Sequence, residues 1–181
     1  MSAIAPQDAY FMDLALRQAE AAVTHGQTPF GAVVVDRDGQ LIGEGHNTVR
    51  GDRDPAAHGE IVAIRDAWRR VGAWQQLSGC TLYSSCEPCL LCSFVIAQIG
   101  FGRVVFAARA TDVPGYRPLL GADLTQAAAW INAEPGWSSL EVVGDFMRER
   151  AVATIAAFPW TSAGTRGTSA SGERDETPRR E

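Results

Sequence analysis

The sequence contains no lysine, because all 16 of its basic residues are arginines. Acidic residues number 21, so the formal net charge at pH 7 is −5. A nucleic-acid-binding protein usually presents a basic face, since neutralisation of phosphates dominates its affinity. The arginines do cluster weakly, but acidic residues are interleaved with each group, at 50–53, 65–70 and 148–150. The composition therefore disfavours a nucleic-acid partner.

The sequence also lacks a long apolar run, since no stretch reaches the ~20 residues that a membrane helix needs. Gln7, Asp8 and Asp13 interrupt the first apolar segment, so no secretion signal is evident. We therefore expect a cytoplasmic protein with no membrane partner. In a reducing compartment, its four cysteines are expected to bind metal or to be buried, not to form disulfides.

Apolar periodicity predicts alternating helices and strands. Helices are predicted at 8–25, 58–72, 88–98, 124–132 and 145–157, and strands at 31–36, 41–47, 80–84, 103–108 and 139–143. This alternation implies a sheet that is covered by helices on both faces. Residues 1–160 are expected to form one domain. The segment 161–181 has no large aliphatic residue and is predicted to be a disordered tail.

Three side chains of the sequence suit a catalytic zinc ion. His58, Cys89 and Cys92 supply nitrogen and sulfur, and three protein ligands leave one position open for water. Cys89 and Cys92 are three residues apart at the start of a predicted helix, so both thiols point to the same side. A helix N-terminus also favours the thiolate form that binds metal. The sequence therefore predicts one Zn²⁺ per chain.

Glu60 follows His58 by two residues and is interpreted as the catalytic proton shuttle. Zinc lowers the pKa of a bound water toward ~7, and a nearby carboxylate can accept the proton that the water releases. Glu60 would pass this proton to a ring nitrogen and then protonate a leaving amine. The electrophile would be an amidine-type ring carbon that carries an amino group, and the products would be a carbonyl and ammonia.

Each of these residues also has a more ordinary interpretation. A C-x-x-C pair can be half of a structural zinc site, with Cys86 as a further ligand, or a redox pair. Cys80 alternates with apolar neighbours and is expected in the core. Glu87 fits either an acid beside the thiolates or a first-turn helix acid. His25 and His46 are expected to be a helix-end and a strand-end residue.

The pattern H-x-E…P-C-x-x-C is the signature of zinc-dependent nucleobase deaminases. Over about residues 8–110 the chain resembles the cytidine deaminase-like zinc hydrolases. The resemblance lies in PFGAVVV (29–35), GHN (45–47), DPAAHGE (54–60) and SCEPCLLC (85–92). It implies a three-layer α/β/α fold with a mixed five-stranded sheet, a zinc deaminase domain and a homodimer.

Within the family, TPFGA (28–32) and YSSCEPC (83–89) are most similar to the guanine deaminase branch, which makes guanine the first substrate to consider. That likeness implies that Asn47 contacts the base and that Phe30 is a wall of the pocket. It also implies that the backbone N–H of Gly59 contacts the ring edge. The family usually has alanine at Gly59, and the missing methyl is expected to enlarge or loosen the pocket.

Two other functions follow from the same resemblance. Residues 103–106 and Ala108-Arg109 resemble the tRNA adenosine deaminases, although the aspartate those enzymes carry next is Ala110 here. A tRNA wobble-adenosine deaminase is therefore one alternative to a deaminase of a small free heterocycle. A non-catalytic zinc-binding subunit is another. Residues 111–160 match no family pattern, and this is the part of the chain that often completes the pocket.

Overall fold

The computed structural model describes residues 4–160, so the predicted tail at 161–181 lies outside the described residues. The helices are α1 (Asp8–Thr24), α2 (Val49–Asp52), α3 (Gly59–Val71), α4 (Leu90–Ile99), α5 (Asp123–Ala133) and α6 (Arg148–Ala157). The strands are β1 (Gly31–Val35), β2 (Leu41–His46), β3 (Thr81–Cys86), β4 (Arg103–Ala108) and β5 (Glu141–Val143). Short 3-10 helices span Trp74–Leu77 and Ala110–Asp112.

The five strands form one mixed sheet in the order β2-β1-β3-β4-β5. Strand β1 pairs antiparallel with β2 and β3, whereas β3, β4 and β5 run parallel to one another. This arrangement confirms the mixed five-stranded sheet that the resemblance implied. It also brings the first residue of β1 and the last residues of β2, β3 and β4 to the same edge of the sheet.

Helices cover both faces of the sheet, which confirms the three-layer α/β/α architecture. One face packs against α1 and α6, through buried side chains that include Phe11, Leu16, Val33, Val105 and Ile155. The other face packs against α3, α4 and α5, through Val34, Ile64, Leu82, Ile96, Val104 and Leu124 among others.

Helix α3 packs against β2 more closely than side chains would allow. A Cβ atom on Gly43 would lie 2.5 Å from the carbonyl oxygen of Ala63, and one on Gly45 would lie 2.5 Å from the nitrogen of Ala63. Real Cβ atoms do not approach backbone atoms this closely, so the two glycines are required by the packing. This contact holds the first turn of α3 at the sheet edge described above.

A buried ionic network fixes the opposite end of the sheet. Asp8, at the start of α1, is fully buried and accepts a hydrogen bond of 2.7 Å from the Tyr83 hydroxyl. Arg103 binds both oxygens of the same carboxylate, at 2.8 and 2.9 Å. Burial opposes ionisation, but the bonds from Arg103 and Tyr83 lower the pKa of Asp8. The network therefore joins α1 to β3 and β4.

The structure corrects several predicted boundaries. Helix α4 begins at Leu90, so Pro88 precedes the helix and does not lie in its first turn. Helix α6 begins at Arg148 and not near 145, because Asp145 and Met147 have left-handed backbone angles that delay the helix. Residues 48–57, between a predicted strand and a predicted helix, contain the short helix α2, which was not predicted. Within residues 4–160, no helix is long and apolar enough to cross a membrane.

Candidate metal centre and active site

The metal centre lies where two helices begin. His58 is the N-cap residue of α3 and Cys89 is the N-cap residue of α4, and both have extended backbone angles. Cys92 lies in the first turn of α4. The Nδ1 atom of His58 is 3.4 Å from Cys89 Sγ and 3.5 Å from Cys92 Sγ, and the two sulfur atoms are 3.7 Å apart. The structure thus brings together the three residues that the sequence singled out.

These separations match the edges of a tetrahedral zinc site. With Zn–S near 2.3 Å and Zn–N near 2.05 Å, ideal geometry places two sulfurs about 3.8 Å apart and sulfur and nitrogen about 3.6 Å apart. Among the described residues, these three form the only group of His, Cys, Asp or Glu side chains close enough to share an ion. Cys86 is outside the group, and its thiol donates to the carbonyl of Arg109 at 3.7 Å. A structural zinc site with Cys86 as a further ligand is therefore not formed.

The protonation of the two thiols also suits a cation. Hydrogen bonding to Cys92 and His58 lowers the pKa of the Cys89 thiol to about 4, so this residue is a thiolate. At Cys92, the hydrogen bond to Cys89 and burial together raise the pKa of the thiol well above its usual value. Hydrogen bonding to Cys89 raises the pKa of His58. Two adjacent thiolates repel each other in a buried site, and a divalent cation removes that repulsion.

Glu60 lies in the first turn of α3 and is only 8% exposed. Burial and the nearby Cys89 raise the pKa of its carboxyl group to about 7. His58 acts in the opposite direction, but its effect is smaller. A carboxyl group with a pKa near neutrality can both accept and release a proton, which is what an acid–base catalyst requires.

Phe30, Asn47 and Gly59 meet beside the metal centre. The backbone N–H of Asn47 donates to the carbonyl of Phe30 at 2.8 Å, and the Asn47 side chain accepts from the N–H of Val49 at 3.2 Å. A Cβ atom on Gly59 would lie 3.0 Å from the Phe30 carbonyl oxygen and 3.1 Å from Gly31 Cα. A methyl group at position 59 would thus press on the backbone at the start of β1. The expectation that its absence enlarges or loosens the pocket stays a prediction.

The structure also assigns Glu87 a role that neither sequence interpretation gave it. Glu87 precedes α4 and is buried, so it is not a first-turn acid of that helix. Its carboxylate accepts hydrogen bonds from Ala110 N at 3.2 Å and from Thr125 N and Oγ1 at 3.4 and 3.3 Å. Glu87 therefore joins the segment between β3 and α4, which carries Cys89, to the 3-10 helix after β4 and to the first turn of α5.

Three further predictions from the sequence are confirmed. Cys80 is buried in the core next to β3. His25 is the C-cap residue of α1, and His46 is the last residue of β2. Their rings stack with centroids 5.2 Å apart, on the far side of β2 from the packing with α3, so neither belongs to the metal centre.

Residues 5–108 match the family model of the cytidine and deoxycytidylate deaminase zinc-binding region. The chain belongs to this deaminase family. The matched segment contains all three ligands and Glu60. The predicted zinc cofactor is therefore confirmed by the family and by the geometry of the donor set.

Relatives within the deaminase family have different substrates in their names. A tRNA-specific adenosine deaminase of Aquifex aeolicus is 40% identical over 99 residues, which are 55% of this chain and 64% of the relative. A guanine deaminase of Bacillus subtilis is 49% identical over 84 residues, 46% of this chain and 53% of the relative. The chain thus spans between half and two thirds of the length of these two relatives.

A solved structure supports the same fold assignment. The guanine deaminase from Nitrosomonas europaea superposes with a TM-score of 0.69 at 28% identity, over 86% of this chain and 85% of that one. The superposition extends well beyond the 5–108 segment. The elements after β4, which the sequence could not assign to a family pattern, therefore belong to the shared fold.

Proposed function

We propose that this protein is a zinc-dependent hydrolytic deaminase of a free aminated heterocycle, with guanine as the first substrate. The observation that carries the proposal is the position of Glu60. It is a buried carboxyl group with a raised pKa, and it lies next to a three-ligand metal centre. A structural zinc site would use a fourth ligand and would not need this acid.

When bound, a zinc ion with three protein ligands supplies an activated water molecule. The oxygen of the water molecule bonds to the ring carbon while Glu60 accepts a proton from that water. Glu60 delivers this proton to the adjacent ring nitrogen. Glu60 then transfers the second proton of the water to the exocyclic amine. The carbon–nitrogen bond breaks, ammonia leaves, and the ring carbon becomes a carbonyl. The pKa of the Glu60 carboxyl group, about 7, suits both proton transfers.

The substrate side of the site is assigned to Phe30, Asn47 and Gly59. The first two residues lie at the sheet edge that faces the metal centre, and Asn47 is buried. An asparagine side chain has both a donor and an acceptor, which suits the edge of an aminated ring. The Gly59 N–H, at the N-terminus of α3, is a donor for the ring or for the oxygen that forms on it.

Two observations favour a free base over a nucleic acid. Relatives named as guanine deaminases include the Bacillus subtilis enzyme, which is 49% identical over the aligned segment. The net charge of −5 also opposes the binding of a polyanion.

A tRNA wobble-adenosine deaminase is the second candidate, favoured by the 40% identity to the Aquifex aeolicus enzyme. The chemistry at Glu60 would be the same, but an anticodon stem-loop would have to bind. Titration of a labelled stem-loop at low and moderate salt separates the two substrates. Binding at moderate salt together with conversion of adenosine to inosine would favour the RNA, and absence of both would exclude it.

The decisive experiment is an ammonia-release screen of zinc-loaded protein over purines, pyrimidines, pterins and triazines. We expect release from guanine, and we expect Glu60→Gln to remain folded and zinc-loaded while losing at least about a thousandfold in turnover. Exposed Glu149→Gln is the matched control and should behave like the wild type. No release from any ring would refute the proposal and would favour a non-catalytic zinc-binding subunit.

We also propose that the protein is a cytoplasmic homodimer. Helix α4 is apolar on most sides, and it leaves Leu91 and Phe94 exposed by 45% and 48%. Exposed apolar side chains on one helix commonly mark a subunit interface. Sedimentation of the wild type and of Phe94→Glu tests this, because the variant should be monomeric. A monomeric wild type would contradict it.

A further inference from the structure

The peptide group between Phe30 and Gly31 lies where the proposed substrate contacts meet. Its carbonyl oxygen accepts a hydrogen bond from the backbone N–H of Asn47 at 2.8 Å. Its N–H, which belongs to Gly31, donates to the hydroxyl oxygen of Ser85 at 3.0 Å. Both polar groups of this peptide are therefore bound, one by a proposed substrate-binding residue and the other by the Ser85 side chain.

Gly59 packs against the same peptide group. A Cβ atom on Gly59 would lie 3.0 Å from the Phe30 carbonyl oxygen and 3.2 Å from Gly31 N. Gly59 directly follows the metal ligand His58. All three proposed substrate contacts thus adjoin one peptide group, and the orientation of that group decides how they are placed relative to the metal centre.

Backbone contacts hold the chain on either side of this peptide group. The N–H of Phe30 donates to the carbonyl of Thr28 at 2.8 Å. A Cβ atom on Gly31 would lie 2.3 Å from Ala19 N, so α1 lies directly against the start of β1. Among the hydrogen bonds of Phe30 and Gly31 described here, only the one to Ser85 uses a side chain. A single substitution can therefore remove it and leave the rest of the backbone unchanged in sequence.

Ser85 is well placed to hold this peptide group. It lies in β3 and is only 3% exposed, four residues before the metal ligand Cys89. A buried N–H that loses its partner is costly, so the Gly31 N–H depends on the Ser85 oxygen. The Ser85 side chain thus connects the strand that leads to Cys89 with the start of β1.

We propose that Ser85 is a positioning residue for the substrate. Its hydroxyl oxygen fixes the plane of the Phe30–Gly31 peptide group, and through that group it sets the positions of Phe30 and Asn47 relative to the metal centre. This inference rests on the proposed deaminase function. Phe30 and Asn47 would contact the ring in the ground state and in the transition state alike, so loss of the Ser85 oxygen should weaken binding more than turnover.

The variants Ser85→Ala, Ser85→Val and Ser85→Thr test this inference. Threonine and valine have the same shape and differ in the hydroxyl, so their comparison isolates the oxygen atom even if the added methyl disturbs packing. For Ser85→Ala and Ser85→Val we expect KM and the calorimetric Kd for guanine to rise about tenfold, because a buried N–H has lost its partner. We expect kcat to change by less than about threefold and the zinc content to stay the same. Ser85→Thr should restore the affinity.

Hydrogen exchange of the Gly31 amide gives a readout that does not depend on activity. Measured by NMR on zinc-loaded protein, this amide should exchange at least about tenfold faster in Ser85→Ala and Ser85→Val than in the wild type, because its hydrogen bond is absent. Ser85→Thr should return the exchange rate toward that of the wild type.

Ser84→Ala is the matched control. Ser84 is the preceding residue of β3, is 2% exposed, and donates one hydrogen bond to the Cys86 carbonyl at 2.7 Å. Its loss should lower the melting temperature in the same way as Ser85→Ala. The KM for guanine and the exchange of the Gly31 amide should stay at their wild-type values.

The outcomes separate the two proposals. If the wild type releases no ammonia from any ring, the deaminase function fails, and the exchange of the Gly31 amide still tests the role of Ser85. A Gly31 amide that exchanges at the wild-type rate in Ser85→Ala and Ser85→Val would overturn the inference whatever the activity. An equal rise in KM for Ser84→Ala, or for Ser85→Thr and Ser85→Val, would also overturn it, since Ser85 would then only stabilise the sheet.

Discussion

At the scale of single residues, folding shifts the pKa values of two groups at the metal centre in opposite directions. Cys89 is a thiolate with a pKa of about 4, while burial keeps Glu60 protonated up to about pH 7. Each of these shifts is a difference between the folded and unfolded chain, so each changes stability with pH. Catalytic groups of this kind commonly reduce the stability of the fold that holds them.

Glu60→Gln should stabilise the metal-free protein, and more strongly at high pH. The pKa of Glu60 is raised on folding, so its contribution to stability is complete below about pH 4.5 and is lost as the pH rises through about 7. Glutamine cannot ionise and avoids this loss. We expect a gain of about 1–3 kcal/mol at pH 8 and little change at pH 5, measured by urea unfolding with EDTA present. An equal gain at both pH values would contradict the assignment.

At the scale of elements, the site depends on where helices begin and on how closely they lie on the sheet. The sequence predicted His58 and Cys89 at helix starts, because C-x-x-C and H-x-E are local patterns. It could not predict the role of Glu87, whose partners Ala110 and Thr125 are 23 and 38 residues away. Nor could it predict that Asp123 is fully buried and accepts a hydrogen bond from the Tyr116 hydroxyl.

Gly59 also shows what a local sequence pattern cannot predict. The family resemblance identified Gly59 as unusual, but the direction in which its Cβ would point depends on the approach of β1 to α3. The sequence alone therefore could not show that a methyl group there would meet the backbone of Phe30 and Gly31. By contrast, strand β4 was predicted at its observed bounds, because a continuous β-branched and aromatic run leaves few alternatives.

Gly45→Ala should disturb the packing of α3 on β2. Its methyl would lie 2.5 Å from the nitrogen of Ala63, and backbone atoms of a helix cannot shift individually. We expect a loss of about 1–3 kcal/mol in unfolding free energy and weaker zinc binding, since α3 carries His58. Gly51→Ala is the control, because its methyl would meet only the end of the Gln27 side chain at 3.3 Å. Equal stability of the two variants would refute this account.

At the scale of the whole molecule, a zinc ion would join α3 to α4, and among the described residues no other group of metal ligands connects them. Helix α3 packs on β2 and α4 lies between α3 and α5, so an ion held by His58, Cys89 and Cys92 links both sides of this layer. Binding of the ion to the folded chain alone adds to stability by mass action. The metal is thus expected to be both a catalytic and a stabilising component.

Removal of zinc should lower the melting temperature by about 10 °C, since ligand at a thousandfold above its dissociation constant contributes about 4 kcal/mol. Cys89→Ala should lose the bound metal, and its melting temperature should no longer respond to added zinc. Cys80→Ala, which removes a buried core thiol, should keep the response to zinc even if its melting temperature is lower. A Cys89→Ala protein with full zinc content would disprove the ligand assignment.

The partial burial of Cys89 has a practical consequence for handling the protein. Its thiolate is the most accessible of the four free cysteines in the described chain, and its low pKa makes it reactive toward electrophiles whenever the ion is missing. A bound zinc ion would protect the Cys89 thiolate from such reagents. The fraction of molecules alkylated by iodoacetamide, counted by intact-mass spectrometry, would report metal occupancy directly, without any substrate.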